Sequence, residues 1–191
     1  MKKMIARCAI KLLYNKSSDE VKKLIEMDTV HKSQREFSLE FLEDRIRAFP
    51  QYRNIFEYRI SSEKSNGALF KLASKALFKL YPTQKTVEIH TRSGKIGGGL
   101  WLPHRYCVIN AESIGERVSV LQGVTIGADS NDGRPTIGSD VVIYPNAVVV
   151  GNITIGDHVW IGANTFVNYD VPDNSTVYAK PSECVCRDKD K

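Results

Sequence analysis

Four histidines, His31, His90, His104 and His158, are the side chains of this 191-residue chain best able to exchange protons near neutral pH. Imidazole can serve as a general base, as a metal ligand, or simply as a solvated side chain. His90, His104 and His158 lack the tight clustering expected of ligands on one ion, so no metal site is expected. The four cysteines, Cys8, Cys107, Cys184 and Cys186, show neither a paired framework nor two CxxC knuckles and read as reduced thiols. Cys107 lies three residues from His104, but nothing in the pattern assigns it as a nucleophile. Neither GxGxxG after a strand nor GxxxxGK[ST] occurs, so no nucleotide-binding loop is expected.

The elements that hold these side chains announce themselves as a repeat. An aliphatic residue recurs every six positions at Ile96, Leu102, Val108, Ile114, Val120 and Ile126, then at Ile137, Ile143, Val149, Ile155, Ile161 and Val167. Glycine follows it at positions 97, 115, 127, 138, 156 and 162. Six fits neither a helix nor an alternating strand. It fits a coil of short flat faces, each offering one aliphatic side chain inward before the chain turns. The glycines are expected where the backbone bends, because glycine tolerates angles that other residues resist. His158 falls at an outward repeat position, and His31 in a helical region without catalytic context. Between Ile126 and Ile137 eleven residues stand where six would do, so five leave the coil as a polar, turn-forming loop at 127–136.

Residues 1–85 have a different texture. Segments 38–48 and 69–80 carry helical apolar spacing, with Pro50 and Pro82 just beyond, where helices commonly stop. Several helices are expected, packed on the N-terminal end of the coil and protecting its open edge. Lys71, Lys75 and Lys79 share one face of the 69–80 helix. That helix is expected to pack on the coil or a sister subunit, with peripheral contact to an anionic membrane as the rival. The net charge of +5 divides into +9 for residues 1–95 and −4 for 96–191. Composition is that of an ordinary globular chain, 42% hydrophobic and 26% charged. No apolar run approaches the roughly 18 residues of a spanning helix, and Arg7 and Lys11 interrupt any signal-peptide core, so a cytoplasmic protein is expected.

Across about residues 86–185 the sequence resembles the hexapeptide-repeat acyltransferases, and most closely their serine acetyltransferase branch with its sugar-acetylating relatives. The resemblance rests on Ile89-His90, Lys95-Ile96-Gly97, Leu102-Pro103-His104, Leu121-Gln122-Gly123-Val124-Thr125-Ile126-Gly127 and the tail at 171–181. It implies a mainly β fold, a left-handed parallel β-helix with an N-terminal α-helical region at 1–85, the β-helix at 86–185 and a charged tail at 186–191. Twelve hexapeptides would make four turns. It further implies acetyl-CoA as co-substrate, a homotrimer, His104 as the base that deprotonates an acceptor hydroxyl, and Glu88 as the acid that orients it. The inserted loop would border the acceptor, with Arg134 and Asp132 as candidate contacts. Gly127, Pro145, Asn146, Gly162, Ala163 and Lys180 would line the coenzyme. No metal and no nucleic-acid partner are implied.

Three departures bear on the acceptor. The branch generally places Asp before the catalytic histidine, where this chain has Pro103. It places Arg-His before the loop's proline, where this chain has Gly133-Arg134, and its helical domain is longer. Loss of an acid that could hold an amino group points to a sugar hydroxyl of a surface polysaccharide, with serine as the alternative acceptor and a non-catalytic scaffold as the rival class. Arg134 could still grip a carboxylate or phosphate through its planar fork.

Overall fold

The computed structural model describes residues 1–63 and 67–180. The 186–191 tail, Cys184 and Cys186 therefore lie outside the described residues. Five helices come first: α1 (Lys2–Lys16), α2 (Asp19–Val30), α3 (Leu39–Ala48), α4 (Pro50–Ser61) and α5 (Ala68–Leu80). Local chemistry sets several of their ends. The Ser18 hydroxyl accepts from the Val21 amide and the Ser38 hydroxyl from the Phe41 amide, each satisfying an orphan donor in a first turn. Pro50, which reads in the sequence as a stop, is the first residue of α4, where its missing N–H costs nothing. The 69–80 helix, expected against the coil or a sister copy, packs mainly along α1. Among the described residues no helix is long and apolar enough to cross a membrane.

Twelve short strands follow: β1 (Val87–Thr91), β2 (Cys107–Ala111), β3 (Ser113–Ile114), β4 (Ser119–Val120), β5 (Thr125–Gly127), β6 (Thr136–Ile137), β7 (Val142–Ile143), β8 (Val148–Val150), β9 (Thr154–Ile155), β10 (Trp160–Ile161), β11 (Phe166–Val167) and β12 (Thr176–Val177). Every pairing is parallel, and the strands fall into three sheets ordered β1-β2-β5-β8-β11, β12-β10-β7-β4 and β3-β6-β9. This is a parallel β-solenoid with three faces, each strand lying on the one a full turn earlier. Alternate side chains point inward, as in Val118 with Val120 and Val141 with Ile143, all fully buried.

Two expectations are corrected. Val108, read as an inward repeat position, is 38% exposed, and Ile109 is fully buried in its place. The corner between Leu102 and Ile109 holds one residue more than the corners that follow, and in a pleated strand a one-residue slip exchanges the two faces. The glycines also serve another purpose. A Cβ on Gly97 would lie 2.5 Å from the Gly115 oxygen, and one on Gly115 would lie 2.6 Å from the Gly138 carbonyl carbon. These residues stack backbone on backbone, and positive φ is absent from them. The left-handed bends fall two residues later, at Gly99, Arg117, Asp140 and His158, and in the next corner at Gly123, Asn146 and Asn164.

The helices close the first turn through a buried ion pair. Arg59 of α4 donates from Nε to Asp28 Oδ2 at 2.8 Å and from Nη2 to Oδ1 at 3.1 Å, and its other N–H groups reach the Ile96 and Gly97 carbonyls. Asp28 of α2 accepts from the Gly99 and Leu100 amides at 2.7 and 2.9 Å. Burial raises the Asp28 pKa, and the Arg59 guanidinium with the two amides draws it back. On the neighbouring face, Phe49 and Arg45 cover Trp101, the guanidinium carbon 4.9 Å from the ring centroid. Arg59→Met removes one partner and leaves the other charge buried. It should lower unfolding stability by about 3–5 kcal/mol, measured by urea denaturation.

Candidate active site

Corner geometry decides which candidate residues meet. The chain passes from the face of β4 to that of β2 and β5 through a corner that recurs at 103–106, 121–124, 144–147 and 162–165. His104 occupies the first of these corners and is exposed. Below it the corner is held by backbone bonds, Asn146 N–H to the Gln122 carbonyl at 3.0 Å and Asn164 N–H to the Pro145 carbonyl at 2.9 Å. Pro145, Asn146, Gly162 and Ala163 therefore stack on the same edge as His104. Glu88 joins them from β1. It lies opposite Val108, at the strand end next to the His104 corner, and points outward with His90 two residues on. Among the described residues neither the Glu88 nor the His104 side chain has a hydrogen-bond partner.

The loop lies elsewhere. It leaves β5 at the far end of the same face and spans 128–135, whereas His104 precedes the near end of β2. At roughly 3.3 Å per strand residue, the width of this face separates the two in one chain. Gly127 pairs with Val150 at the loop end and stands apart from the other coenzyme candidates. Lys180 is exposed, just past β12.

The loop is built by its own side chains. Asp129 Oδ1 accepts from the Asn131 and Gly133 amides at 2.8 and 2.9 Å, which holds its carboxyl below the usual range, the Gly133 amide being the larger cause. Asp132, in the left-handed region at φ 60°, binds Arg134 through Oδ1 at 2.8 Å and Arg92 through Oδ2. Asp132 and Arg134, expected as acceptor contacts, thus meet each other first. Arg134 Nε is buried without a partner. Arg92, just past β1, also lies 3.9 Å from Glu112. Sequence reasoning missed Arg92, because its partner is 40 residues away and only the stacking of turns joins them.

The other proton carriers are placed differently. His31 caps α2, and burial, reinforced by the Lys32 and Arg117 charges, pushes its pKa down to about 4. His158 is exposed at a corner, with Nδ1 3.9 Å from Asp140 Oδ2. Cys107 is buried, its thiol donating to the Leu121 carbonyl at 3.0 Å, and burial raises its pKa, so it is poorly suited to nucleophilic attack. Among the described residues no three His, Cys, Asp or Glu side chains are grouped to hold a metal ion.

Comparison with known proteins agrees with the architecture. Residues 134–168 match the family model described as bacterial transferase hexapeptide (six repeats). Serine acetyltransferase of Staphylococcus aureus (strain MSSA476) is 30% identical over 182 residues, covering 93% of this chain and 80% of the relative. Soybean serine acetyltransferase complexed with serine superposes with a TM-score of 0.65 at 26% identity, over 88% of this chain and 70% of that one. Serine acetyltransferase isoform 3 of Entamoeba histolytica, in complex with cysteine, gives 0.62 at 25% identity, and this chain spans 62% of its length.

Because the Arg92, Asp132 and Arg134 contacts are exposed, they should order the loop rather than stabilise the fold. Arg92→Ala should change global stability by less than about 1 kcal/mol, while amide hydrogen exchange at Asp132 and Arg134 quickens. Unchanged exchange would show that Asp129 alone sets the loop.

Proposed function

We propose, from the premise that this chain belongs to the serine acetyltransferase family, that it is an acetyl-CoA-dependent O-acetyltransferase acting on the hydroxyl of serine. The sugar acceptor suggested by Pro103 and Gly133-Arg134 finds no support among the relatives, and the alternative does. The observation that carries the reading is the likeness to serine acetyltransferases over 93% of the chain. The exposed His104 on the edge shared by Glu88, Pro145, Asn146, Gly162 and Ala163 supports it. In this reading the His104 imidazole takes the hydroxyl proton as the oxygen attacks the thioester carbon. The carbon–sulfur bond then breaks, and the imidazolium returns the proton to the departing thiolate. Glu88 would hold the imidazole in the useful orientation, and backbone N–H groups of the corners would receive the developing oxyanion. Arg92 and Arg134 share Asp132, with Glu112 beside Arg92, and they are the cations in reach of a serine carboxylate at the loop.

His104 and the loop stand at opposite ends of one face, so a site that uses both needs a second copy of the chain. The outward side chains of the three faces differ in a way that favours such an assembly. One face carries Val108, Thr125, Val148 and Phe166, and the next carries Trp101, Val142 and Trp160, with Phe166 59% and Trp160 53% exposed. The third carries Lys95, Ser113, Thr136, Thr154 and Asp170, none of them apolar. A homotrimer built through the apolar faces would bring one copy's loop to another's His104 edge, with acetyl-CoA in the groove between them.

Release of CoA thiol from acetyl-CoA tests the chemistry. L-serine should support at least about one turnover per second, sugars and nucleotide sugars should be silent, and His104→Ala should lower kcat by about 10²–10⁴-fold with an unchanged circular-dichroism spectrum. Release with a sugar alone would restore the glycan reading. Silence with every acceptor, together with no CoA binding, would leave a scaffold. For the assembly, Phe166→Glu should convert a trimeric mass to a monomeric one and abolish turnover, and an intact active trimer would remove this face from the interface.

A further inference from the structure

α1 and α5 pack along each other, and between them they carry five and three Lys or Arg residues and no Asp or Glu. Ala6, Ala9, Ile10 and Leu13 of α1 and Phe70, Ala73 and Leu77 of α5 face the core. That leaves large apolar side chains outside: Met4 is 65% exposed, Ile5 42%, Leu69 61% and Leu72 64%. Around them stand Lys2, Lys3, Lys11, Lys71, Lys75 and Lys79, and among the described residues none of these six makes an ion pair. On the α3 side of α1, Glu40, Glu43 and Asp44 share a groove with Lys3, Met4 and Arg7, where Glu43 is engaged by Arg7 at 3.4 Å and Asp44 by Arg47 at 2.7 Å. Glu57 of α4 lies in the groove beside α5, half-buried, its pKa raised by that burial.

We propose that the α1 and α5 surface docks on an anionic lipid bilayer. Aliphatic and methionine side chains set among unpaired lysines suit the boundary between acyl chains and acidic headgroups, where the apolar groups insert and the ammonium groups stay with the phosphates. Each lysine near such a surface strengthens binding by about fivefold. A second copy meeting this surface face to face would set lysine against lysine. A nucleic acid would use the lysines but leave Met4, Leu69 and Leu72 without a partner. The proposal does not depend on the acetyl-transfer reading, since it uses no residue of that site.

Flotation of the full chain with vesicles of 30% phosphatidylserine in phosphatidylcholine, at about 0.1 M salt, tests it. The protein should float with these vesicles and stay behind with phosphatidylcholine alone. The triple variant Lys71→Glu, Lys75→Glu, Lys79→Glu should weaken binding by at least about 100-fold, and Met4→Ser with Leu72→Ser by at least about fivefold, each keeping the wild-type circular-dichroism spectrum. Failure to float with anionic vesicles overturns the proposal, as does equal binding to neutral ones. Binding that survives the serine changes and is competed equally by duplex DNA would mark a general polyanion surface and overturn it. A charge-reversed variant that changes oligomeric mass but not flotation would assign the surface to a subunit contact, with the same result.

Discussion

Successive turns of the coil lie one backbone hydrogen bond apart, and this closeness constrains almost every other feature of the molecule. Where two turns meet at a corner, as at Gly97, Gly115 and Gly138, no room remains for a Cβ. Where the path bends, a left-handed residue is required, and Asp140, Asn146, Asn164 and Asn174 supply several of these bends with side chains that tolerate αL. Extra residues cannot be absorbed inside a turn. The insertion after β5 is therefore expelled as a loop that folds on its own Asp129, and the extra residue near His104 reverses the pleat of β2 so that Val108 faces out. The features that set this chain apart chemically are the two places where the repeat is broken.

A stack of parallel strands has open ends, and the helices close the first one. Asp28 and Arg59 bring two helices to the 96–100 backbone and satisfy amides and carbonyls that have no earlier turn to pair with. The cost of burying two charges is offset because four of the five Arg59 N–H groups and both Asp28 oxygens are paired. Trp101, under Phe49 and Arg45, extends the cover to the adjoining face. The corner with His104 begins two residues past Trp101, so this cap adjoins the proposed base. The same packing leaves α1 and α5 outermost, with no ion pair to their lysines among the described residues.

The repeat was legible because it depends on local periodicity. Eleven of the twelve hexad positions are buried, with Val108 as the exception, and its slip could be read only once both Leu102 and Ile109 were seen to point inward. The helices at 38–48 and 69–80 showed through their apolar spacing, while α1, α2 and α4 did not stand out. The Asp28 to Arg59 pair was illegible for a different reason. Asp28 follows Glu26 by two residues in α2, and nothing in that stretch tells the fully buried acid from its neighbour or names its partner 31 residues away.

By itself the sequence determined the solenoid, since a six-residue period is a property of neighbouring residues, and its resemblance to the acyltransferases pointed to the kind of chemistry and to His104 as a candidate base. The acceptor it suggested, a sugar, came from the absence of an acid at Pro103, and an absence is weak evidence because another element can supply the missing charge. Tertiary structure alone decided that Glu88 shares an edge with His104, that Arg134 is tied through Asp132 to Arg92, and that the loop lies a full face away from His104. Each of these depends on which turn stacks on which, a relation between residues 16 or more positions apart that no local pattern records.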